Sequence, residues 1–335
     1  MFLKRRSMNE VPVVEYIEYL KAEAFLKDIS YGGSKYELFM NGTYAYRGHA
    51  SNKYKLIPSA LRIESKKRFN QFALSGDDGN QDELEYFQII KEYNVLRDFY
   101  KLCDRKGLVI ENIDRIRNTF LDKMDMYTML MNEAWLPKDL WGLAALAQHY
   151  MVPTRLLDWT HDIYVALFFA VEDYLEGRTV PEETKFITLW ALNLQPIIDP
   201  NVQDLPLKLV QPIYHGNDNL TAQQGLFTLW QAKKELKYED GHAKIDMKTK
   251  VNRKPLDQLL LNLRIRHEKI DTPYLYGFMI PMDSAKEIYR HIKSLGYDAS
   301  RIYPGYSGVV KSMMHDYYLN AEALENSAAI MLSRG

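Results

Sequence analysis

Nine consecutive apolar residues, Ile163 to Val171 in "DIYVALFFAV", constrain this chain more than any other feature. Between "DWTHD" and Gly177 the stretch has the length of a helix, with Thr160 as its expected N-cap and the glycine as its stop. A helix that is apolar almost all round has no face to offer to water, so it has to be central and covered on several sides. Short segments rich in β-branched and aromatic residues are the natural cover: "TYAYRGH" (43–49), "TRLLDW" (154–159), "KFITLWAL" (185–192), "GLFTLW" (225–230) and "PYLYGFMIP" (273–281). Strands interrupted by helices in this order predict an α+β fold, with a mixed, mostly antiparallel β core surrounded by helices.

The remaining stretches are read around that core. Residues 10–29, "EVPVVEYIEYLKAEAFLKDI", space their apolar side chains by three and four and predict an amphipathic N-terminal helix within 1–30. Two helical patterns, about Glu83 to Cys103 and about Asp114 to Asn132, form an expected helical insertion over 65–135. "KDLWGLAALAQHY" predicts a further helix that Pro153 keeps from continuing. Residues 231–254, "QAKKELKYEDGHAKIDMKTKVNRK", are so highly charged that an exposed loop is expected. "SAKEIYRHIKSLG" and "VVKSMMHDYYLNAEAL" predict two last helices separated by a turn at "YPGYSG". The whole of 1–335 is read as a single domain.

Charge and cysteine usage narrow the function classes. Lys plus Arg number 43 against 44 Asp plus Glu, a net charge of −1, so no whole-molecule field draws the chain to nucleic acid or to an acidic membrane. A local patch would have to do so. The single cysteine, Cys103, has no disulfide partner within the chain, no Cys/His spacing suggests zinc, and no apolar stretch reaches the length of a membrane span. A cytoplasmic protein without a metal is expected. The P-loop, the Rossmann glycine fingerprint and the GxSxG elbow are all missing from the sequence.

Three polar groups stand against the apolar background. In "YRGH", Arg47 on a half-buried strand requires an anion, and Gly48 allows something to approach the backbone; the anion is either a ligand or an internal carboxylate. In "QHYMVPTRLLDWT", His149 ends a helix whose dipole favours its protonated form. Arg155 and Asp158, three apart in one strand, point to opposite faces and cannot simply pair with each other. Asp158, Trp159 and Thr160 lie where a strand passes into a helix, a place that caps the helix, presents N–H groups to an anion, or does both. In "NLTAQQGLFTLW", Gln223 and Gln224 enter an apolar strand, and an amide there can orient a ligand but cannot exchange a proton.

Taken together, "YRG", "LAALAQHYMVPTRLLDWTHDIYVALFFAVED", "TAQQGLFTL" and "IYPGYSGV" resemble the FRG domain, a bacterial and phage family named for a phenylalanine-arginine-glycine motif. Tyr46 stands in place of the usual Phe, and "PGY" (304–306) stands where the family typically has an acidic "PDL" type sequence. More distantly, Arg47, then "DWT" with "VALFFA", then Gln223 and Gln224 before "GLFTL" are similar in order to the NAD-binding arginine, Ser/Thr turn and catalytic glutamate of ADP-ribosyltransferases. That resemblance implies an ADP-ribosyltransferase-like core that binds NAD, acting as a toxin or phage-defence effector on a protein or nucleic-acid acceptor, with an antitoxin or defence-system partner. It implies catalytic roles for Arg47, His149, Asp158 and Gln224, and NAD contacts from Tyr46, Arg47, Gly48, Arg155, Trp159, Thr160 and Gln223. A non-catalytic nucleic-acid-binding or interaction module, built on the lysines from Lys233 to Lys254, is the alternative reading.

Overall fold

The computed structural model describes residues 11–63, 84–110, 113–117, 134–199, 205–212, 214, 217–233, 236–239, 242–245, 248–263 and 272–333. Strands occupy Val14–Glu18 (β1), Tyr44–His49 (β2), Ala134–Trp135 (β3), Leu156–Thr160 (β4), Phe186–Asn193 (β5), Leu207–Val210 (β6), Gly225–Trp230 (β7), Ala232–Lys233 (β8), Leu236–Glu239 (β9), His242–Ile245 (β10) and Leu275–Pro281 (β11). The fold is α+β, with mixed and mostly antiparallel strand pairing. Among the described residues no helix is long and apolar enough to cross a membrane.

The chain divides into two compact units. One comprises residues up to Lys55, Thr160–Gln203 and Asp257 onward; the other comprises Leu56–Trp159 and Asp204–Leu256. In the first, strands lie in the order β1, β11, β5, β2, with only β1 and β11 parallel. β2 is paired along its whole length, from Tyr44 against Asn193 to His49 against Thr188, and Tyr46 also pairs with Thr160. The helix Ile163–Leu175 packs on this sheet, and Val165, Ala166, Leu167, Phe168, Ala170 and Val171 have no exposed surface. The central helix that the apolar run predicts is thus observed, with Tyr164 and Phe169 only partly buried. Burying side chains as large as Leu167 and Phe168 stabilises by roughly 1.5–3 kcal/mol each. Phe25, Ile29, Phe278, Ile288 and Tyr289 complete the same core.

In the second unit the order is β4, β7, β6, with β6 and β7 antiparallel. Its own core gathers Ile89, Leu96, Trp135, Leu143, Leu156 and Leu229. The helix Glu85–Arg105 is the first of the two expected in the insertion. Of the second, only Ile113–Ile116 is described as helix, and most of it lies outside the described residues.

Four expectations are corrected. Residues 10–29 are not one helix: Val14–Glu18 is a strand and the helix begins at Ala22. "VEYIE" fits both periods, and parallel pairing with β11 selects the extended form. Thr160 does not cap the central helix. It is the last residue of β4, and Asp162 is the N-cap, its carboxylate accepting from Tyr164 N–H at 2.9 Å. Thr160 Oγ1 instead accepts from Asp162 N–H at 3.0 Å, which fixes the turn between them. Gln223 and Gln224 do not lead into β7 as strand residues, because a helix, Asp218–Gln223, precedes it. Finally, 231–254 is not simply a loop, since β8 to β10 fall inside it and β9 and β10 pair antiparallel.

Candidate functional site

The structure distributes the candidate residues over both units. In the first unit, β2 alternates its side chains across the sheet. Tyr44 and Tyr46 point into the core, and Tyr46 is 2% exposed with its hydroxyl donating to the Phe39 carbonyl at 3.0 Å. Gly48 has a packing explanation. A Cβ there would stand 1.9 Å from the Ala166 carbonyl oxygen and 2.6 Å from Ala170 N, so the backbone that approaches this glycine is that of the central helix.

Arg47 and His49 occupy the other face of β2. Arg47 is half-buried, and its Nε–H donates to His49 Nε2 at 2.9 Å. Trp190, opposite Arg47 on β5, directs its indole N–H at His49 Nδ1, 3.2 Å away. A neutral imidazole accepts at one nitrogen only, so His49 serves one of these donors at a time, and a protonated ring would serve neither. Tyr16 packs edge-on against Trp190 at 5.9 Å, and its hydroxyl donates to Asp257 at 2.9 Å. Gly277 leaves the space these rings fill, since a Cβ would meet Trp190 at 2.9 Å and Tyr16 at 3.0 Å. The result is an arginine, a histidine and two aromatic rings on the sheet face opposite the core. His49 and Trp190 were not among the sequence candidates. The i, i+2 spacing of Arg47 and His49 was visible in "YRGH", whereas Trp190 is brought in by a partner strand 141 residues from His49.

In the second unit, Arg155 is committed to carboxylates of its own protein. Its guanidinium is fork-bonded to Glu92, with Nε and Nη2 each 2.9 Å from a carboxylate oxygen, and Nη1 reaches Glu85 at 2.6 Å. All three residues are buried. Burial by itself would pull the Arg155 guanidinium down, but the Glu85 and Glu92 carboxylates outweigh it and hold it above its ordinary range. Glu92 also accepts from the Trp135 indole N–H and from Gln88, so the ion pair sits inside a fully bonded polar core. Trp159 is buried as well, donating to Thr228 Oγ1 at 2.8 Å.

Asp158 is the half-buried member of β4. Its Oδ1 accepts from the Gln148 side-chain amide, whose carbonyl oxygen in turn accepts from Thr154 Oγ1. The same Gln148 amide donates to the Leu156 carbonyl at 3.2 Å. As expected, Arg155 and Asp158 do not pair with each other. His149, half-buried beside Tyr150, departs from its expectation. Burial lowers its pKa, the direction opposite to that of the helix dipole. Gln223 ends the short helix, and Gln224 is exposed in left-handed backbone, φ 46° and ψ 45°, as its C-cap. Gln148 and Thr154 were also missed, although both lie inside the quoted "QHYMVPTRLLDWT" block.

Within the first unit, the structure brings together Tyr46, Arg47, Gly48 and Thr160 through the single register Tyr46 to Thr160. Within the second lie His149, Arg155, Asp158, Trp159, Gln223 and Gln224. Among known families, a model described as FRG domain matches residues 42–178. No curated protein and no solved structure matches the chain significantly. The matched span contains the "YRG" and "QHYMVPTRLLDWT" blocks, while "TAQQGLFTL" and "IYPGYSGV" lie beyond it. The chain therefore carries an FRG domain, whose matched residues include the arginine strand β2, the strand β4 and the central apolar helix.

Proposed function

We propose that this FRG domain protein is a toxin or phage-defence effector with ADP-ribosyltransferase-like, NAD-dependent activity on a protein or nucleic-acid acceptor. The observation that carries the reading is the pairing of Tyr46 with Thr160, which sets the strand bearing Arg47 beside Thr160. Arg47 lies on the sheet face opposite the core, next to His49 and Trp190. An arginine near an indole suits an anionic nucleotide, with the guanidinium on the diphosphate. Gln224 cannot accept a proton from an incoming nucleophile, whereas an imidazole can, so His149 is the group to which we assign general-base work.

Incubation of the purified protein with labelled NAD and cell extract tests this reading. Label transfer or NAD consumption, together with an NAD-induced thermal shift lost in Arg47→Ala, is the expected result. An absence of transfer, of consumption and of thermal shift would overturn it. In cells, toxicity lost in soluble Arg47→Ala and Asp158→Ala proteins at matched levels supports a site, and mutants that do not fold point to architecture. A defence or antitoxin partner follows from the same reading and is sought by co-purification.

One observation favours a second reading, a non-catalytic nucleic-acid-binding or interaction module. β9 and β10 place Lys237 directly opposite Lys244. A local group of lysines in these strands and the charged segment around them can bind phosphates even where the net charge of the chain is near zero. Retention on RNA or DNA that falls steeply with salt and weakens in Lys237→Ala would support this reading, and salt-insensitive binding would count against it.

A further inference from the structure

The last helix, Tyr306–Ser333, has two faces over its first four turns. Gly308, Ser312, His315 and Leu319 are buried and face the core of the first unit. On the opposite side Tyr306, Val309, Val310, Met313, Met314 and Tyr317 are exposed by 93%, 48%, 56%, 66%, 66% and 74%. These six lie at the three- and four-residue spacing of one helical stripe, and the stripe holds no charge. Two tyrosines of roughly 150–250 Å² each and four Val or Met side chains of roughly 60–120 Å² each, at these exposures, present on the order of 500 Å². That is at the upper end of the largest apolar patch of a typical monomer, about 300–600 Å².

We propose that this stripe is the interface for a second copy of the chain, joined about a two-fold axis with the two helices antiparallel. The spacing of the stripe is symmetric about its centre. In an antiparallel pair Tyr306 lies against the other copy's Tyr317, Val309 against Met314 and Val310 against Met313. Small and flexible side chains then meet in the middle and a tyrosine closes each end, a self-complementary arrangement of the kind a two-fold interface requires. The neighbouring charges are already neutralised within each protomer. Lys311 pairs with Glu172 at 2.6 Å and Glu176 at 2.7 Å, and Asp316 pairs with Lys293. Two identical faces therefore meet without unpaired like charges. Together they remove on the order of 1,000 Å², the size from which a specific interface is sustained. Lysines and arginines along the flank, which would favour an anionic lipid surface, are otherwise lacking among the described residues of this helix.

The test uses the full chain in analytical ultracentrifugation from micromolar to submillimolar protein. A dimer is expected for the wild type. The Val310→Glu/Met313→Glu variant is expected at half that mass, with an unchanged circular-dichroism spectrum and melting temperature, because both side chains are exposed. A mixed-chain experiment fixes the register. Val310→Cys protein mixed with Met313→Cys protein gives an intermolecular disulfide between unlike chains in the antiparallel pair, and neither variant alone cross-links efficiently. A wild type that stays monomeric throughout, a dimer unaffected by the double glutamate, or cross-linking of each variant with itself would overturn the proposal. So would a monomer whose stripe instead binds neutral or anionic vesicles.

Discussion

At the scale of single residues, the structure distinguishes polar groups that hold a core together from those half-buried at a sheet face. Arg155 belongs to the first kind. Its fork-bonded contact with Glu92 and its contact with Glu85 lie in the core of the second unit, between segments more than sixty residues apart in sequence. Removing one member of a buried ion pair leaves the other charged and without its partner, which costs about 3–5 kcal/mol. Arg155→Leu and Glu92→Leu are each expected to lower the urea midpoint accordingly. Any NAD-dependent activity should then fall only with the folded fraction, a distinction that activity assays at increasing urea would resolve. His315 makes a different residue-scale prediction. It is 1% exposed, lies 6.0 Å from the Phe168 ring and 5.8 Å from the Tyr289 ring, and neither ring nitrogen has a hydrogen-bond partner among the described residues. Glu176, 3.8 Å away, and Glu172 favour its charged form and Lys311 opposes it, but desolvation is the largest effect and lowers the pKa from 6.5. The unfolded chain then binds the proton that the folded chain refuses. Stability is full above the unfolded pKa and is lost as pH falls from about 6.5 towards the lower folded value. His315→Phe should shrink this acid limb, read from urea midpoints between neutral and acid pH. His149 and His161, which burial also lowers, preserve the remainder.

At the scale of elements, what was legible in the sequence is what local pattern determines. The central helix follows from nine apolar residues and a glycine stop, and β5, β7 and β11 follow from their β-branched and aromatic runs. β1 was not legible as a strand, because "VEYIE" satisfies helical and strand spacing alike and its partner, β11, lies some 260 residues away. The β9 to β10 pairing had a signal that charge obscured, since "DG" between the two runs is a hairpin cue. The candidate site divides in the same way. Arg47 and Asp158 were visible as polar residues in apolar surroundings, whereas Trp190 beside Arg47 and the Glu85 and Glu92 partners of Arg155 depend on long-range packing. Gln224 offers a test at this scale that separates fold from chemistry. Its left-handed backbone is the helix C-cap geometry that glycine adopts without strain. Gln224→Gly should therefore keep or raise stability, by a few tenths to about 1 kcal/mol. If the amide orients a ligand, the same protein should lose its NAD-induced thermal shift or its transfer activity while its melting temperature holds. Unchanged activity in Gln224→Gly would remove this residue from the site.

At the scale of the whole molecule, the matched family span and the units of the fold do not coincide. Residues 42–178 contain parts of both compact units and the whole of neither. The span includes β2 but lacks β5, which pairs with every residue of β2, and it lacks β11 on the far side of β5. It includes β4 but lacks β7 and β6. It carries the central helix without Phe25, Ile29, Phe278, Ile288 and Tyr289, which close the core around it. A helix as apolar as Ile163–Leu175, stripped of that cover, would expose Leu167 and Phe168 to water at roughly 1.5–3 kcal/mol each. Folded domains have only about 5–15 kcal/mol in reserve. The segment 42–178 expressed alone is thus expected to aggregate, or to remain soluble only without cooperative structure. The full chain should give a dispersed amide spectrum and a sharp melt. Proton–nitrogen correlation spectra and thermal melts of the two proteins, side by side, decide the matter. A dispersed spectrum from the isolated segment would mean that the FRG span folds on its own and that the flanking strands are additions to it, whereas its collapse would mean that β5, β7 and β11 are integral to the domain.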